Sequence, residues 1–333
     1  MEQTRGRRRA SPLLAGFTAL VCSCSCMAFP ALTASRPRAP LRMGAEDPAR
    51  RPLSLPIFPL SKNVKLPTES LDLRLFEPRY LVMFKHLLET EHHLFGVVWK
   101  GGDATALKTG DVGVIAQMTN WDEQQAQEPP YRRPTVEVRA RAVGRFQVEG
   151  VTSTGIDDGA SGPPYLVADV VPMEDSPVGD VAEEAQVAVL ERRVYACIKD
   201  VEQLVSKLYH VDRLDAPSPD HVADEAYMAV HRFAPLQARG PQSKRKIVSH
   251  SLERAFSVAE PLVVAGEQSR ASREARRRQL FSFAVAQTCE LEAEDSQALL
   301  ECTDTAARLH KVLGVLSEGR SWLAARSALR DTF

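Results

Sequence analysis

His86, Glu89 and His93 stand at i, i+3 and i+7, which would put three metal-ligand side-chain types on one face of a helix. The H-E-x-x-H pattern is absent, and no cysteine or further carboxylate marks a fourth ligand. The three are read as a solvated helix face, with no metal and no cofactor expected. Ser206-Lys207 and Ser243-Lys244 each join a nucleophile to a base. Neighbours on a helix point to different sides, so both pairs are read as surface polar residues. Asp157-Asp158 and Glu183-Glu184 pair carboxylates in or beside loops. With no apolar pocket to raise a pKa, general acid–base catalysis has no support. G-x-x-x-x-G-K-[ST], G-x-S-x-G and G-x-G-x-x-G are all missing, and so is any Gly-Lys pair. The residues point away from an enzyme.

The elements that would carry these residues are those of an ordinary globular chain. At 333 residues there is room for two domains of ~150 residues each. The net charge of −1 hides an asymmetry. Seven arginines against Glu2 give residues 1–45 a charge of +6, which leaves −7 for the remainder. An acidic body is a poor general phosphate binder, because such affinity comes from cationic side chains releasing counterions. Cys22, Cys24 and Cys26 lie in the basic leader; Cys197, Cys289 and Cys302 are scattered through the body, with no C-x-x-C. They are read as small apolar residues, not as a disulfide set.

In chain order, residues 1–45 read as an address. Arg5 to Arg9 form a basic start, and Pro12 to Val21 is an apolar run too short for an ordinary membrane span. Cys26 and Ala28 put small residues at −3 and −1 of a cleavage before Phe29. Three arginines with hydroxyls and no acid follow. Residues 53–175 are rich in strand signals: Leu55–Leu60, Leu71–Leu75, Leu94–Trp99, Val112–Met118, Thr135–Val143, Phe146–Val151 and Tyr165–Val171. One amphipathic helix, Tyr80–Glu91, interrupts them. Short strands with a single helix imply a small closed or nearly closed barrel. Residues 176–333 read as helical. Between Asp180 and His210, Val187, Val194, Val201 and Leu208 share one position of a seven-residue repeat, and Leu190, Cys197 and Leu204 another. An intramolecular helical hairpin and a dimer both explain that stripe, the first being preferred because the repeat is short. Further helices are expected over 222–234 and 244–258.

Two stretches carry a family resemblance. Leu55-Pro56-Ile57-Phe58-Pro59-Leu60, Val64 and Pro67, then Leu71, Leu73 and Phe76-Glu77-Pro78-Arg79-Tyr80, resemble the start of the Lon N-terminal domain, the substrate-binding region of ATP-dependent Lon proteases. Phe95-Gly96-Val97-Val98, Gly110–Ile115, Val143–Val148 and Tyr165–Val171 echo the same domain. Arg278–Ala286, Ser296–Glu301 and Asp304–Leu309 are similar to its closing helices, with Asp304 a candidate N-cap. The tail Ser321–Phe333 is similar to the end of plant and algal stand-alone Lon-domain proteins. The family's glycine after the Pro67 position is replaced by Thr68-Glu69, so the turn there is expected to differ. The resemblance implies an α+β fold: a PUA-like β-pseudo-barrel lobe over 53–175, then an α-helical lobe over 176–333.

The site residues carried over are Phe76, Glu77, Pro78, Arg79 and Tyr80, assigned a structural role. Glu77 and Arg79 are expected to cap the helix or pair with each other, and Phe58, Phe76, Tyr80 and Phe84 to fill the core. The resemblance implies a non-catalytic module that binds unfolded or specific protein clients, with an adaptor for a protease on another chain as one form of it. The alternative is an RNA-associated PUA-like module. It rests on Arg132, Arg133, Arg139, Arg141 and Arg145, the last three sharing one strand face by the period of two. The −7 charge makes RNA the weaker partner. The leader resembles the bipartite leaders of plastids acquired by secondary endosymbiosis, so the stroma is the expected address, with cleavage near residues 29–50. A plain secretory signal is the alternative.

Overall fold

A computed structural model describes residues 53–101, 107–124, 135–153, 165–177, 179–209, 222–235, 270–289 and 291–330. The expected leader, the helix over 244–258, Ser243-Lys244 and Asp157-Asp158 lie outside them.

The strands are β1 (Leu53–Leu60), β2 (Ser70–Leu75), β3 (Leu94–Trp99), β4 (Val112–Gln124), β5 (Thr135–Ser153) and β6 (Leu166–Pro172). Helix α1 (Pro78–Glu89) separates β2 from β3. The strand order is β2-β5-β4-β3-β1-β6, and β6 also pairs with β5. That second pairing closes β5, β4, β3, β1 and β6 into a ring and leaves β2 outside it. Only β1 and β3 run parallel; every other pair is antiparallel.

Two expected strands, Thr135–Val143 and Phe146–Val151, are one. The 19 residues of β5 hold β2 and β4 along one half, then β4 and β6 along the other. Register shifts between Ile115 and Ala116, between Met118 and Asn120, and between Val148 and Gly150 bend the strands around the ring. Inside it pack Leu55, Ile57, Leu94, Val98, Ile115, Phe146, Val148, Ala168 and Val170. The fully buried Phe146 ring needs the two glycines facing it. A Cβ on Gly96 would come within 2.9 Å of Phe146 Cζ, and one on Gly113 equally close.

At the turn of residues 67–69, Thr68 stands where a glycine was looked for, and the backbone keeps the left-handed conformation that favours glycine. Thr68 takes φ 79°, the left-handed region a β-branched residue rarely enters. The surroundings hold it there. Its N–H donates to the Ala142 carbonyl at 2.8 Å, and its hydroxyl accepts from Gln287 Nε2 at 2.8 Å.

The helical half comprises α2 (Val181–Tyr209), α3 (Val222–Phe233), α4 (Arg270–Thr288), α5 (Ala293–Glu301) and α6 (Thr305–Arg330). Among the described residues, no helix is long and apolar enough to cross a membrane. Helix α4 is the most enclosed, with Phe281, Phe283, Ala284 and Val285 at 0% exposure. One continuous apolar cluster runs from β2, β4, β5 and α1 into α2, α4, α5 and α6.

The α2 stripe is satisfied inside the chain, but not by a hairpin. Its partner is α6, more than a hundred residues away. Asp200 pairs with Arg320 at 3.0 Å, and Arg330 donates to the Leu208 carbonyl. The numbers rise together, so the two helices run parallel. Leu309, Val312, Leu316 and Leu323 supply the facing stripe on α6. The N-terminus of each helix is capped by a sequence-near group. Asp180 Oδ1 accepts from Glu183 N at 2.8 Å, and Asp304 Oδ1 from Ala306 N at 2.8 Å, as its type and place imply.

Candidate functional site

Leu75 ends β2, and Pro78 opens α1 at a position where a missing N–H leaves nothing unpaired. Glu77 is the N-cap residue but makes no side-chain cap bond. Its carboxylate instead accepts from Arg79 Nε at 2.8 Å, and its carbonyl accepts from the N–H groups of Tyr80 and Leu81. Arg79 also lies over the Tyr80 ring, 4.7 Å from its centre. The Tyr80 ring is buried and packs on Phe58 at 4.5 Å. Burial raises the Tyr80 hydroxyl pKa, Arg79 pulling it down and Glu77 pushing it up.

Phe76 is a correction. It was expected in the core with Phe58, Tyr80 and Phe84, yet 52% of it is exposed. The alternation of Leu71, Leu73 and Leu75 points those three side chains at the core, and Phe76 lies one step out of phase. A second aromatic, Trp121 of β4, is 40% exposed at the far side of α1. Its ring centre is 6.3 Å from that of Phe84 and 6.0 Å from that of His93. Among the described residues the barrel half thus shows solvent two large aromatics, Phe76 and Trp121, the second of them only in part.

The two halves meet over a buried ion cluster. Helix α5 ends at Glu301, leaving carbonyls with no helical partner. Arg145 of β5 reaches them, donating to the Leu300 carbonyl at 2.6 Å and the Cys302 carbonyl at 2.7 Å. Its other amine donates to Asp175, which follows β6. Arg308 of α6 donates to both oxygens of the same carboxylate, and Thr305 Oγ1 donates to it as well. Both guanidiniums face the Phe283 ring, 5.4 and 4.2 Å from its centre. Burial pushes the Arg145 pKa down to about 10, against the pull of Asp175. The cluster joins two guanidiniums through one carboxylate, an arrangement that fixes the geometry of the joint.

This cluster overturns the arginine face. Arg139 and Arg141 lie on the outer side of β5, but Arg145 is 2% exposed and faces the helices. The register passes from Ala116 opposite Ala142 to Ile115 opposite Gly144. Val143 is thus an extra residue, and everything after it changes sides. Arg132 and Arg133 lie outside the described residues. A lone arginine inside Ala142-Val143-Gly144-Arg145-Phe146 was the signal for burial. Asp175 had no local signal.

A second cluster sits within the helical half. Glu191 of α2, 2% exposed, accepts from Arg277 Nη2 at 2.8 Å and lies 3.5 Å from Arg278 Nε. Burial would lower the Arg277 pKa, but the bonds to Glu274 and Glu191 outweigh it and the net direction is up. Glu202 lies 2.8 Å from Lys199 and 3.3 Å from His231. Burial would raise its carboxyl, yet those partners hold it below the ordinary glutamate range.

The histidine face is not one face. Helix α1 ends at Glu89, two residues short of the expected Glu91. His93 lies beyond it at φ 50° and contacts the Leu87 carbonyl through Nδ1, whereas His86 contacts the Tyr165 hydroxyl at 2.7 Å. No group of three or more His, Cys, Asp or Glu among the described residues is placed to hold a metal. Ser206 and Lys207 fall side by side on α2. Cys197 is buried within α2 and Cys289 just after the end of α4, and burial pushes the Cys289 thiol up to about 12.

The sequence model of the family described as ATP-dependent protease La (LON) substrate-binding domain matches residues 54–318. Among solved structures, the N terminal domain of Mycobacterium avium complex Lon protease aligns over 80% of this chain and 98% of its own, at 13% identity and TM-score 0.41. The Lon N-terminal domain protein from Xanthomonas campestris aligns over 79% and 98%, at 19% identity and TM-score 0.37. No curated protein matches the chain.

Proposed function

We propose, from the premise that this chain belongs to the LON substrate-binding domain family, that it is a non-catalytic module that recognises exposed segments of other polypeptides. The observation that carries the reading is the family match joined to Phe76, the one motif aromatic the core leaves in solvent. A large aromatic kept at the surface next to a paired Glu77 and Arg79 suits an apolar anchor with a polar rim. In this reading the chain hands clients to a protease on another chain, in the plastid stroma to which its leader composition points. RNA is the weaker reading, because the strand that supported it keeps Arg139 and Arg141 outside but turns Arg145 inward.

The test uses the purified chain and fluorescent reduced, carboxymethylated lysozyme as an unfolded probe. We expect binding without nucleotide, no cleavage of the probe, and weaker binding by Phe76→Ser. Absence of binding overturns the reading. An RNA affinity that falls steeply with salt, with no polypeptide binding, replaces it with the other. For the address, a leader–fluorescent protein fusion secreted from plastid-bearing cells would refute the stroma.

A further inference from the structure

Closing the barrel leaves one strand edge over. Among the described residues, every strand of the ring has a neighbour on both sides, whereas β2 ends the order and pairs with β5 alone. The register sets which of its backbone groups are spent. Ala142 N donates to the Glu69 carbonyl at 2.9 Å. The next hydrogen-bonded pairs fall at every second residue: Leu71 with Ala140, Leu73 with Val138, Leu75 with Val136. The N–H and C=O groups of Ser70, Asp72 and Arg74 therefore point away from β5, along the outer edge.

Proteins usually guard such an edge with proline, a bulge, a cover or an unpaired lysine. Strand β2 contains no proline, and its six residues run in unbroken register. Its two charges stand across from opposite charges on its neighbour: Asp72 lies 3.6 Å from Arg139, and Arg74 is in register with Glu137. Leu73 is half-buried on the core-facing side, and Phe76, one step out of phase with it, stands exposed at the strand's end. The Ser70 hydroxyl at the other end is buried with no hydrogen-bond partner.

We infer that the outer edge of β2 takes up an extended segment of a client polypeptide as an added strand. Alternating donors and acceptors along an edge are matched by an extended backbone and by nothing compact, which is what commits the site to this occupant. The added strand sets its apolar side chains beside Leu73 on the core-facing side and its polar ones beside Asp72 and Arg74, with Phe76 exposed at the strand's end. Main-chain bonds give such a site breadth over many sequences, as a receptor for varied unfolded chains requires. The inference rests on the polypeptide-binding reading and names the contact within it.

Asp72→Pro tests it. The Asp72 N–H points outward, so proline removes a docking donor and spares the ladder to β5. We expect the variant to keep the wild-type thermal midpoint and to bind the lysozyme probe about tenfold more weakly or worse. In a second arm, a hexapeptide of alternating valine and threonine competes with the probe on the wild-type chain. The same peptide N-methylated at alternate residues, which cannot pair, does not. This arm holds whether or not the variant folds. If the wild-type chain binds the probe but proline and N-methylation change nothing, the edge is refuted and the functional reading stands. If the wild-type chain binds no probe, that reading has failed first. If sedimentation shows a dimer that Asp72→Pro dissociates and the peptide does not compete, the edge belongs to a second copy and the inference is wrong.

Discussion

Asp175→Ala is expected to cost the protein about 3–5 kcal/mol of folding free energy, the loss seen when one partner of a buried ion pair is removed. Its carboxylate is the anion between two guanidiniums that are 2% and 1% exposed. Without it, Arg145 and Arg308 remain buried as like charges, held by carbonyls, the Ser282 and Thr305 hydroxyls and the Phe283 ring. Neither side chain has room to reach water without opening the joint between barrel and helices. Urea unfolding measures the effect as a lower midpoint at unchanged slope.

The deficit also has a signature in pH. A base whose folded pKa is depressed binds fewer protons folded than unfolded, so stability rises with pH through the folded value. Arg145 titrates at about 10 with Asp175 present, and Asp175 pulls it upward. Removing that pull strengthens the trend, so the gap between variant and wild type narrows as pH rises toward that value. Replacing Asp175, Arg145 and Arg308 together by apolar residues of similar size should cost less than Asp175→Ala alone, because no charge is stranded. A midpoint for Asp175→Ala equal to wild type would mean that both arginines are already hydrated.

Gly113→Ala is the second large effect expected, about 3 kcal/mol, at the upper end of overpacking costs. A Cβ there would lie 2.4 Å from the Val97 carbonyl oxygen, 2.8 Å from Val98 Cγ2 and 2.9 Å from Phe146 Cζ. The nearest contact is backbone, so no rotamer change relieves it, and β3 and β4 must part beside their ladder within the ring. Trimming the ring with Phe146→Leu therefore should not rescue the variant. Gly144→Ala is the contrast. Its nearest neighbour, Ile115 Cδ1, is at 3.8 Å, an ordinary contact. A shift of less than about 0.5 kcal/mol is expected there. Equal losses at the two positions would show that glycine matters here for chain entropy and not for space.

Much of the architecture is legible in local pattern. The alternation of Leu71, Leu73 and Leu75, the apolar run of β3 and the stripe on α2 each repeat over a few residues, and backbone geometry converts that repeat directly into a face. Asp304 announces a helix start for the same reason: the groups it caps are two and three residues away. The motif from Phe76 to Tyr80 marks a strand–helix junction without saying which of its aromatics goes inside.

What tertiary structure alone decided are matters of partner and side. The α2 stripe requires an apolar partner but does not name α6, whose stripe lies more than a hundred residues on. One extra residue at Val143 turned Arg145 from the outer face to the inner, and a bulge is set by the neighbouring strand's register. Asp175 looks like any loop carboxylate until Arg145 and Arg308 arrive, 30 residues before it and 133 after. The physical reason is common to all three. Periodicity is written into consecutive residues, while the choice of which surfaces meet depends on the closure of the whole chain. The free edge of β2 belongs with them, since a strand becomes an edge only when the other five have closed a ring without it.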